Sequence, residues 1–123
     1  MKKILIVDDE KEIRELIKEK LTQNKYSVMT ASSAQEGMII AKTSQPDLIL
    51  LDIAMPEMDG YLTCEKLKQD SKTRDIPVLL LTGKDLESKS AMERCNDVGA
   101  CDYISKMTSL KELLEKVKEI IKE

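Results

Sequence analysis

Residues 47–60, with the sequence DLILLDIAMPEMDG, decide the fold of this 123-residue chain. The uninterrupted apolar run LILL has the length of a strand that is covered on both of its faces. The run delivers a single carboxylate, Asp52, and the chain then breaks into a loop at Ala54-Met55-Pro56. A buried strand that ends on one acid is typical of a functional site at the edge of a parallel sheet.

Short apolar or β-branched runs recur along the chain and alternate with helical patterns. They predict five strands, at residues 4–7, 26–30, 48–51, 78–81 and 101–104. The first, third and fourth runs are continuously apolar, which indicates central strands. The run YSVMT alternates between apolar and polar residues and therefore favours an edge position.

Five helices are predicted between and after these strands, from apolar residues spaced three and four apart. Helix starts are predicted at a serine or a glycine in three places: Ser32 or Ser33, Gly60 and Ser109. Ser109 forms a capping box with Glu112, and Gly99 should end the fourth helix in a left-handed C-cap.

These repeats predict a single α/β domain over residues 1–123 with a flavodoxin-like (βα)5 fold. The five-stranded parallel sheet should have the strand order 2-1-3-4-5, with helices on both faces. Functional residues of such sheets lie beyond the carboxyl ends of the strands, where the strand order reverses. We expect no output domain in this chain.

Composition excludes several classes of function. The 20 basic and 23 acidic residues are interspersed and give a net charge of -3, so no basic surface for nucleic acid is predicted. The amino-terminal apolar run is too short for a signal peptide or a membrane span. Three widely spaced cysteines do not indicate a disulfide framework. We expect a cytoplasmic protein without a membrane partner.

The residues at the ends of the predicted strands suggest a common site. They are Asp8, Asp9 and Glu10 after the first strand, Asp52 after the third, Thr82 after the fourth and Lys106 after the fifth. Each alone is an ordinary capping or surface residue. Because the carboxyl ends of parallel strands share one edge, we expect these residues to form one pocket.

This set of residues is suited to phosphoryl transfer. Clustered carboxylates require a cation, and hard oxygen ligands without His or Cys favour Mg²⁺. Asp52 could act as the nucleophile and form an acyl phosphate, while Thr82 and Lys106 donate to the remaining phosphoryl oxygens.

The motifs resemble the receiver domain of response regulators in two-component signalling. They are ILIVDDE, PDLILLDIAMPEMDG, IPVLLLTGK and GACDYISK, in that order. The resemblance implies that Asp52 is phosphorylated from a phosphohistidine on a histidine kinase or a histidine phosphotransfer protein. It also implies Mg²⁺ bound by the side chains of Asp9 and Asp52 and the backbone carbonyl of Ala54, with Asp8 contributing through water.

The resemblance further implies a switch. Thr82 would move toward the phosphoryl group and Tyr103 would follow it, rearranging the face of helix four, strand five and helix five for a downstream protein target. The chain would be a signalling phosphoacceptor. It would catalyse only the phosphorylation and dephosphorylation of its own Asp52 and would not otherwise be an enzyme. We expect a monomer, with dimerisation on phosphorylation as the alternative.

The sequence departs from the family pattern after Lys106. Met107 stands where the family usually has proline, and that lysine-proline bond is usually cis. Because a cis bond before a non-proline residue costs about 3 to 4 kcal/mol, a trans Lys106-Met107 bond is expected. Thr108 and Gly83 also differ from the commoner residues at their positions.

Two other functions of similar folds fit the sequence less well. A dehalogenase-type phosphatase needs a second acid at position 54, which is Ala54 here. A flavin-binding module needs a phosphate-binding loop after the first strand, where DDEKE would repel phosphate. Two further alternatives are a receiver domain cut from a larger regulator or hybrid kinase, and a degenerate receiver that acts as a phosphorylation-independent interaction module.

Overall fold

The computed structural model describes residues 1–53, 60–82, 88–106 and 108–122, with only the backbone described along residues 88–92. Five strands and five helices alternate over these residues. They are β1 (Lys3–Val7), α1 (Lys11–Gln23), β2 (Ser27–Ala31), α2 (Ala34–Ser44), β3 (Leu48–Asp52), α3 (Gly60–Gln69), β4 (Val78–Thr82), α4 (Ser88–Val98), β5 (Asp102–Ser105) and α5 (Leu110–Ile120).

The strands form one parallel sheet in the order β2-β1-β3-β4-β5, which confirms the predicted topology. β3 lies at the centre, and every residue from Leu48 to Asp52 is buried. β2, the strand with the alternating sequence, lies at one edge as predicted, and β5 lies at the other. The chain therefore reverses direction across the sheet between β1 and β3, which places Asp52 beside that reversal.

The core consists of two apolar layers, one on each face of the sheet. Alternate residues of a strand point to opposite faces, so Leu51 and Leu80 pack under α2, α3 and α4, whereas Leu50 and Leu81 pack under α1 and α5. This division confirms that helices cover both faces. It also explains why the central strands carry uninterrupted apolar sequence, since neither face meets water.

Local capping explains several helix ends. Ser33 Oγ accepts from the amide of Glu36 at the start of α2, and Ser109 Oγ accepts from the amide of Glu112 at the start of α5, both at 3.2 Å. Gly99 follows α4 with φ of +81°, as a left-handed C-cap requires. The predicted start of the fourth helix, at about residue 85, lies outside the described residues.

Two strands begin one residue later than predicted. The amide of Tyr26 donates to Leu21 O, so Tyr26 closes the end of α1 and β2 starts at Ser27. β5 likewise starts at Asp102 rather than at residue 101.

Among the described residues, no helix has both the length and the apolar character needed to cross a membrane.

Gly60 fixes the approach of α3 to the end of β3. Its amide donates to Ile53 O at 3.2 Å, and a Cβ at this position would lie 2.2 Å from Ile53 Cα and 2.6 Å from Asp52 O. Both neighbours are backbone atoms that cannot rotate away. Only glycine therefore lets α3 begin this close to the strand that carries Asp52.

We expect Gly60→Ala to lower the free energy of unfolding by about 3 kcal/mol, because the backbone must shift to relieve these contacts. Urea unfolding followed by circular dichroism measures the change. Glu65→Ala, at an exposed position of the same helix, serves as the control and should change stability by no more than about 0.5 kcal/mol. Equal stability of the Gly60→Ala variant and the control would show that the close approach of α3 to β3 does not require glycine at this position.

Candidate functional site

The carboxyl ends of β1, β3, β4 and β5 bring four predicted residues together. Lys106 is central, because its backbone amide donates to Thr82 O at 2.7 Å and extends the pairing of β4 with β5. Its Nζ lies 3.1 Å from Asp52 Oδ2 and 3.0 Å from Asp8 Oδ2. The predicted pocket therefore contains Asp8, Asp52, Thr82 and Lys106.

The ionised groups of this pocket are withdrawn from solvent. Asp8 is 0% exposed, Asp52 is 1% exposed and the side chain of Lys106 is 5% exposed. Moving an unpaired charge into such a place costs several kcal/mol, so each of these groups depends on a partner of opposite sign. Both aspartates contact the Lys106 ammonium, so the same cation compensates part of the charge of each.

Glu10, which the sequence placed at the strand end without a role in the site, also joins the pocket. Its Oε1 lies 2.6 Å from Lys106 Nζ, the shortest of the contacts that this ammonium makes with carboxylates of the described residues. The side chain of Glu10 is 58% exposed and lies over the buried lysine. The one available signal was its position as the third acid of DDE at a strand end.

Asp8 is held by the backbone around it. Its Oδ1 accepts from the amide of Glu10 at 2.8 Å and from Lys106 Nζ at 3.2 Å, and its own carbonyl accepts from Arg14 Nη1 at 2.8 Å. Asp8 Oδ2 is buried and close to Lys106 Nζ, yet it makes no hydrogen bond of suitable geometry among the described residues. Asp8 therefore has one oxygen fixed by hydrogen bonds and one that, among the described residues, is only ion-paired with Lys106.

The pKa shifts follow from this arrangement. Burial raises the pKa of Asp8 above its ordinary value of 3.8, and the charge of Asp52 adds to the effect, while the Glu10 amide and Lys106 oppose it. Burial alone would lower the pKa of Lys106, but its hydrogen bonds to Glu10, Asp8 and Asp52 outweigh burial and raise that pKa. Lys106 therefore carries its positive charge throughout the neutral pH range.

Four carboxylates form a cluster that could hold a metal ion. Asp8, Asp9, Glu10 and Asp52 each contribute an oxygen, and these oxygens lie within 4.8 Å of one another. Hard carboxylate oxygens suit Mg²⁺, and the buried Oδ2 of Asp8, which makes no hydrogen bond among the described residues, is able to accept a further ligand. The residues present therefore fit a divalent cation.

Two predicted features lie outside the described residues. One is the backbone carbonyl of Ala54, which the family resemblance implies as a metal ligand. The other is the Lys106-Met107 bond, because Met107 is not described. The expected trans geometry of that bond stays a prediction.

Tyr103 lies in β5, beside β4, where it is paired in register with Leu80. It is half-buried and packs against the core layer under α2, α3 and α4. Thr82, the last residue of β4, is 3% exposed and is paired in register with Ser105. The two predicted switch residues thus lie on adjacent strands at the edge that carries Lys106.

An apolar groove of about 300 Å³ opens beside the pocket, between α1 and α5. Lys106 lines both the groove and the carboxylate cluster. The apolar lining residues are Ile13, Leu16, Ile17, Leu81, Leu110 and Leu113. Leu16, one of these lining residues, is 53% exposed and gives the groove an apolar surface that is open to solvent.

The sequence of this chain matches the family model described as the response regulator receiver domain, over residues 4–118. The chain belongs to that family. The predicted resemblance and the predicted flavodoxin-like fold are thereby confirmed, and the receiver is a signalling domain of two-component response regulators. Membership of this family implies a histidine kinase as phosphodonor.

Curated relatives support this assignment. The receiver is 40% identical, over 121 residues, to the alkaline phosphatase synthesis transcriptional regulatory protein PhoP of Bacillus subtilis, covering 98% of this chain and 49% of that protein. It is 38% identical over 122 residues to the probable transcriptional regulator ycf27 of Porphyra purpurea, covering 98% of this chain and 47% of that protein. The receiver thus spans about half the length of the curated relatives it matches.

A solved structure shows the same fold in another setting. The chemotaxis protein CheY4 of Vibrio cholerae matches with a TM-score of 0.90 and 28% sequence identity, covering 98% of this chain and 99% of that chain. The receiver fold is thus found both at the length of CheY4 and within transcriptional regulators about twice as long.

Replacing Asp8 with Asn removes a buried charge but keeps an oxygen that can accept from the Glu10 amide. Because the pKa of Asp8 is raised by folding, its ionisation opposes the folded state, and this penalty is absent below pH 3.8. We expect Asp8→Asn to raise the free energy of unfolding by about 1 kcal/mol near neutral pH without metal. The gain should shrink as the pH falls toward 3.8.

Urea unfolding at several pH values tests this expectation, with Asp75→Asn as a control at an exposed aspartate. Added Mg²⁺ should stabilise the wild-type receiver more than the Asp8→Asn variant. If Asp8→Asn is instead less stable than the wild type at neutral pH, the contacts of the Asp8 carboxylate stabilise the fold by more than its burial destabilises it.

Proposed function

We propose that Asp52 of this receiver is the phosphoacceptor, taking a phosphoryl group from a phosphohistidine of a partner protein. The observation that supports this most directly is the contact of Asp52 Oδ2 with the buried Lys106 ammonium, at 3.1 Å, beside three further carboxylates. Burying several charged groups together costs free energy and is not needed for folding. The pocket is suited to receiving a dianionic group together with a cation.

The transfer needs few groups from the protein. A carboxylate oxygen of Asp52 attacks phosphorus, the phosphorus–nitrogen bond to the partner's imidazole breaks, and the electron pair of that bond leaves with the imidazole nitrogen. The product on Asp52 is an acyl phosphate. Lys106 donates to the phosphoryl oxygens, and the hydroxyl of Thr82 supplies a second donor. Phosphoryl transfer mainly requires such positioning and charge neutralisation.

Magnesium fits the same pocket. The side chains of Asp8, Asp9 and Asp52 would hold it, Asp8 through water, with the backbone carbonyl of Ala54 as the further ligand that the family resemblance implies. Bound there, Mg²⁺ would offset the negative charge of the carboxylates and of the incoming phosphoryl oxygens. The support is the clustering of four carboxylates and the buried Asp8 Oδ2, which makes no hydrogen bond within the described part of the chain.

The output of the receiver is proposed to be a change on the face formed by α4, β5 and α5, which binds a downstream protein target. Thr82 and Tyr103 lie on the two strands that connect the pocket with this face. An ion pair of Lys116 Nζ with Asp102 Oδ2, at 2.8 Å, joins α5 to the start of β5. A phosphoryl group of about two negative charges would bias an existing equilibrium between two arrangements of these elements.

The phosphodonor is proposed to dock on the groove between α1 and α5. Lys106 lines both this groove and the Asp52 pocket, so a partner that covers the groove brings its histidine to the reacting oxygen. Leu16, 53% exposed, provides apolar area for that contact. The occupant is thus an apolar surface of the protein that carries the phosphohistidine.

The receiver is proposed to work in the cytoplasm as a monomeric phosphoacceptor, with no enzymatic activity beyond the turnover of its own acyl phosphate. It would act either as a single domain or as the receiver portion of a larger regulator. The second setting is supported by the transcriptional regulators among its relatives, which are about twice its length. Contact with nucleic acid is not proposed for these residues, since acidic residues exceed basic ones.

We expect acetyl phosphate with Mg²⁺ to add one phosphoryl group to the wild-type receiver and none to Asp52→Asn, because the amide cannot attack phosphorus. Intact-protein mass spectrometry measures the added mass. Asp75→Asn, at an exposed aspartate outside the pocket, should be modified like the wild type. Unchanged labelling of Asp52→Asn would refute the assignment of the phosphoacceptor.

We expect Leu16→Ser to slow phosphotransfer from the partner by about tenfold, because the contact loses apolar area worth about 1.4 kcal/mol. Phosphotransfer profiling of the wild type against the histidine kinases and phosphotransfer proteins of the host first identifies that donor. Modification by acetyl phosphate should not change, since this small donor does not contact the groove.

Ile39→Ser provides the matched control, because Ile39 is an exposed apolar residue of α2, at 58% exposure, outside the lining of the groove. Its rate of phosphotransfer should equal that of the wild type. Equal slowing by both substitutions, or equal slowing with acetyl phosphate, would exclude the groove as the docking site.

A further inference from the structure

Glu10 makes the closest contact with Lys106 and yet lies largely in solvent. Its Oε1 is 2.6 Å from Nζ, against 3.0 Å for Asp8 and 3.1 Å for Asp52, and its side chain is 58% exposed. We propose that Glu10 is a positioning residue that holds Lys106 in the unphosphorylated receiver and competes for it with the phosphoryl group. This inference rests on the proposed function, in which Asp52 carries that group.

The Lys106 ammonium has three N–H donors, and three carboxylates lie within hydrogen-bond distance of it. Its donors are therefore committed before any phosphoryl group arrives. A phosphoryl group on Asp52 brings several strong acceptor oxygens to the same ammonium. Lys106 can serve more than one of them only by giving up a contact it already has.

The three carboxylates differ in how readily they can leave. Asp8 is fully buried, and the amide of Glu10 fixes its Oδ1. Asp52 is the reacting residue and cannot withdraw. The carboxylate of Glu10 can turn into water, which replaces its hydrogen bonds, so its release is the least costly. Glu10 is thus the acceptor that the phosphoryl group displaces.

Charge acts in the same direction as hydrogen bonding. The pocket already contains the carboxylates of Asp8, Asp9 and Asp52, and a phosphoryl group makes it more negative still. The carboxylate of Glu10 adds repulsion to the product and attraction to the resting position of Lys106. Both effects favour the unphosphorylated state, so removing the charge of Glu10 should favour phosphorylation.

A different role is open to the same side chain, since Glu10 belongs to the carboxylate cluster and could support a bound cation. The two roles predict opposite results. A competitor for Lys106 lowers the phosphorylated fraction, whereas a cation ligand raises it. Substitution of Glu10 therefore separates them.

The experiment compares Glu10→Gln with Glu12→Gln, which removes the same charge from an exposed position in the first turn of α1. Each variant is incubated with Mg²⁺ and a sub-saturating concentration of acetyl phosphate, and the phosphorylated fraction is measured at steady state. The ratio of phosphorylated to unphosphorylated protein should rise about two- to fivefold in Glu10→Gln and stay unchanged in Glu12→Gln. High salt should reduce the difference, because exposed charges are screened.

A second readout needs neither metal nor phosphate. Because Glu10 covers Lys106, Glu10→Gln should increase acylation of Lys106 by an amine-reactive reagent in metal-free protein, measured by mass spectrometry. Lys116, paired with Asp102 on α5, provides the internal reference. A purely structural role of Glu10 would change the labelling of both lysines together.

The inference is overturned if Glu10→Gln is phosphorylated no more than Glu12→Gln, or if calorimetry shows weaker Mg²⁺ binding together with less phosphorylation. Failure of the proposed function looks different. In that case the wild-type receiver takes up no phosphoryl group at all, while the labelling of Lys106 still responds to Glu10→Gln. The competition would then be refuted along with the phosphoacceptor, although the cover over Lys106 would stand.

Discussion

The site depends on one buried ammonium placed among carboxylates at the edge of a parallel sheet. Lys106 compensates Asp8 and Asp52, two acids that are almost completely inaccessible to water. Without this cation, two like charges would face each other in a region of low dielectric constant. The sheet makes the arrangement possible, because parallel strands end at one edge and bring residues that are far apart in sequence within 3 Å or so of one another. The fold and the chemistry are therefore linked through a single side chain.

Most of the fold could be predicted from sequence patterns that report burial. The run LILL and its counterparts in β1 and β4 are apolar throughout because helices cover both faces, and β2 alternates because it is an edge. Strand limits at Tyr26 and at residue 101 differed by one position. Tyr26 has the composition of a strand residue, but its amide belongs to the end of α1. A backbone hydrogen bond of this kind does not alter the pattern of apolar residues from which the strand limits were predicted.

The site residues that follow directly from the ends of the strands could be predicted from the sequence. Asp8, Asp52, Thr82 and Lys106 were found by asking which residue each strand delivers, and the structure brings these four together. The same question also listed Glu10, but its contact with Lys106 could not be predicted, because an exposed side chain has several directions open to it. The roles of these residues in phosphoryl transfer follow from the family and from their chemistry, and they stay proposals.

Lys106 belongs to two systems at once. Its ammonium sits among the acids, and its amide forms the hydrogen bond to Thr82 O that continues the pairing of β4 with β5. Because the side chain is attached to this backbone, a displacement of the ammonium can also displace the end of β5. β5 has only four residues and, in the described part of the sheet, it pairs with β4 alone. Lys106 therefore connects the carboxylate cluster with the backbone at the end of β5.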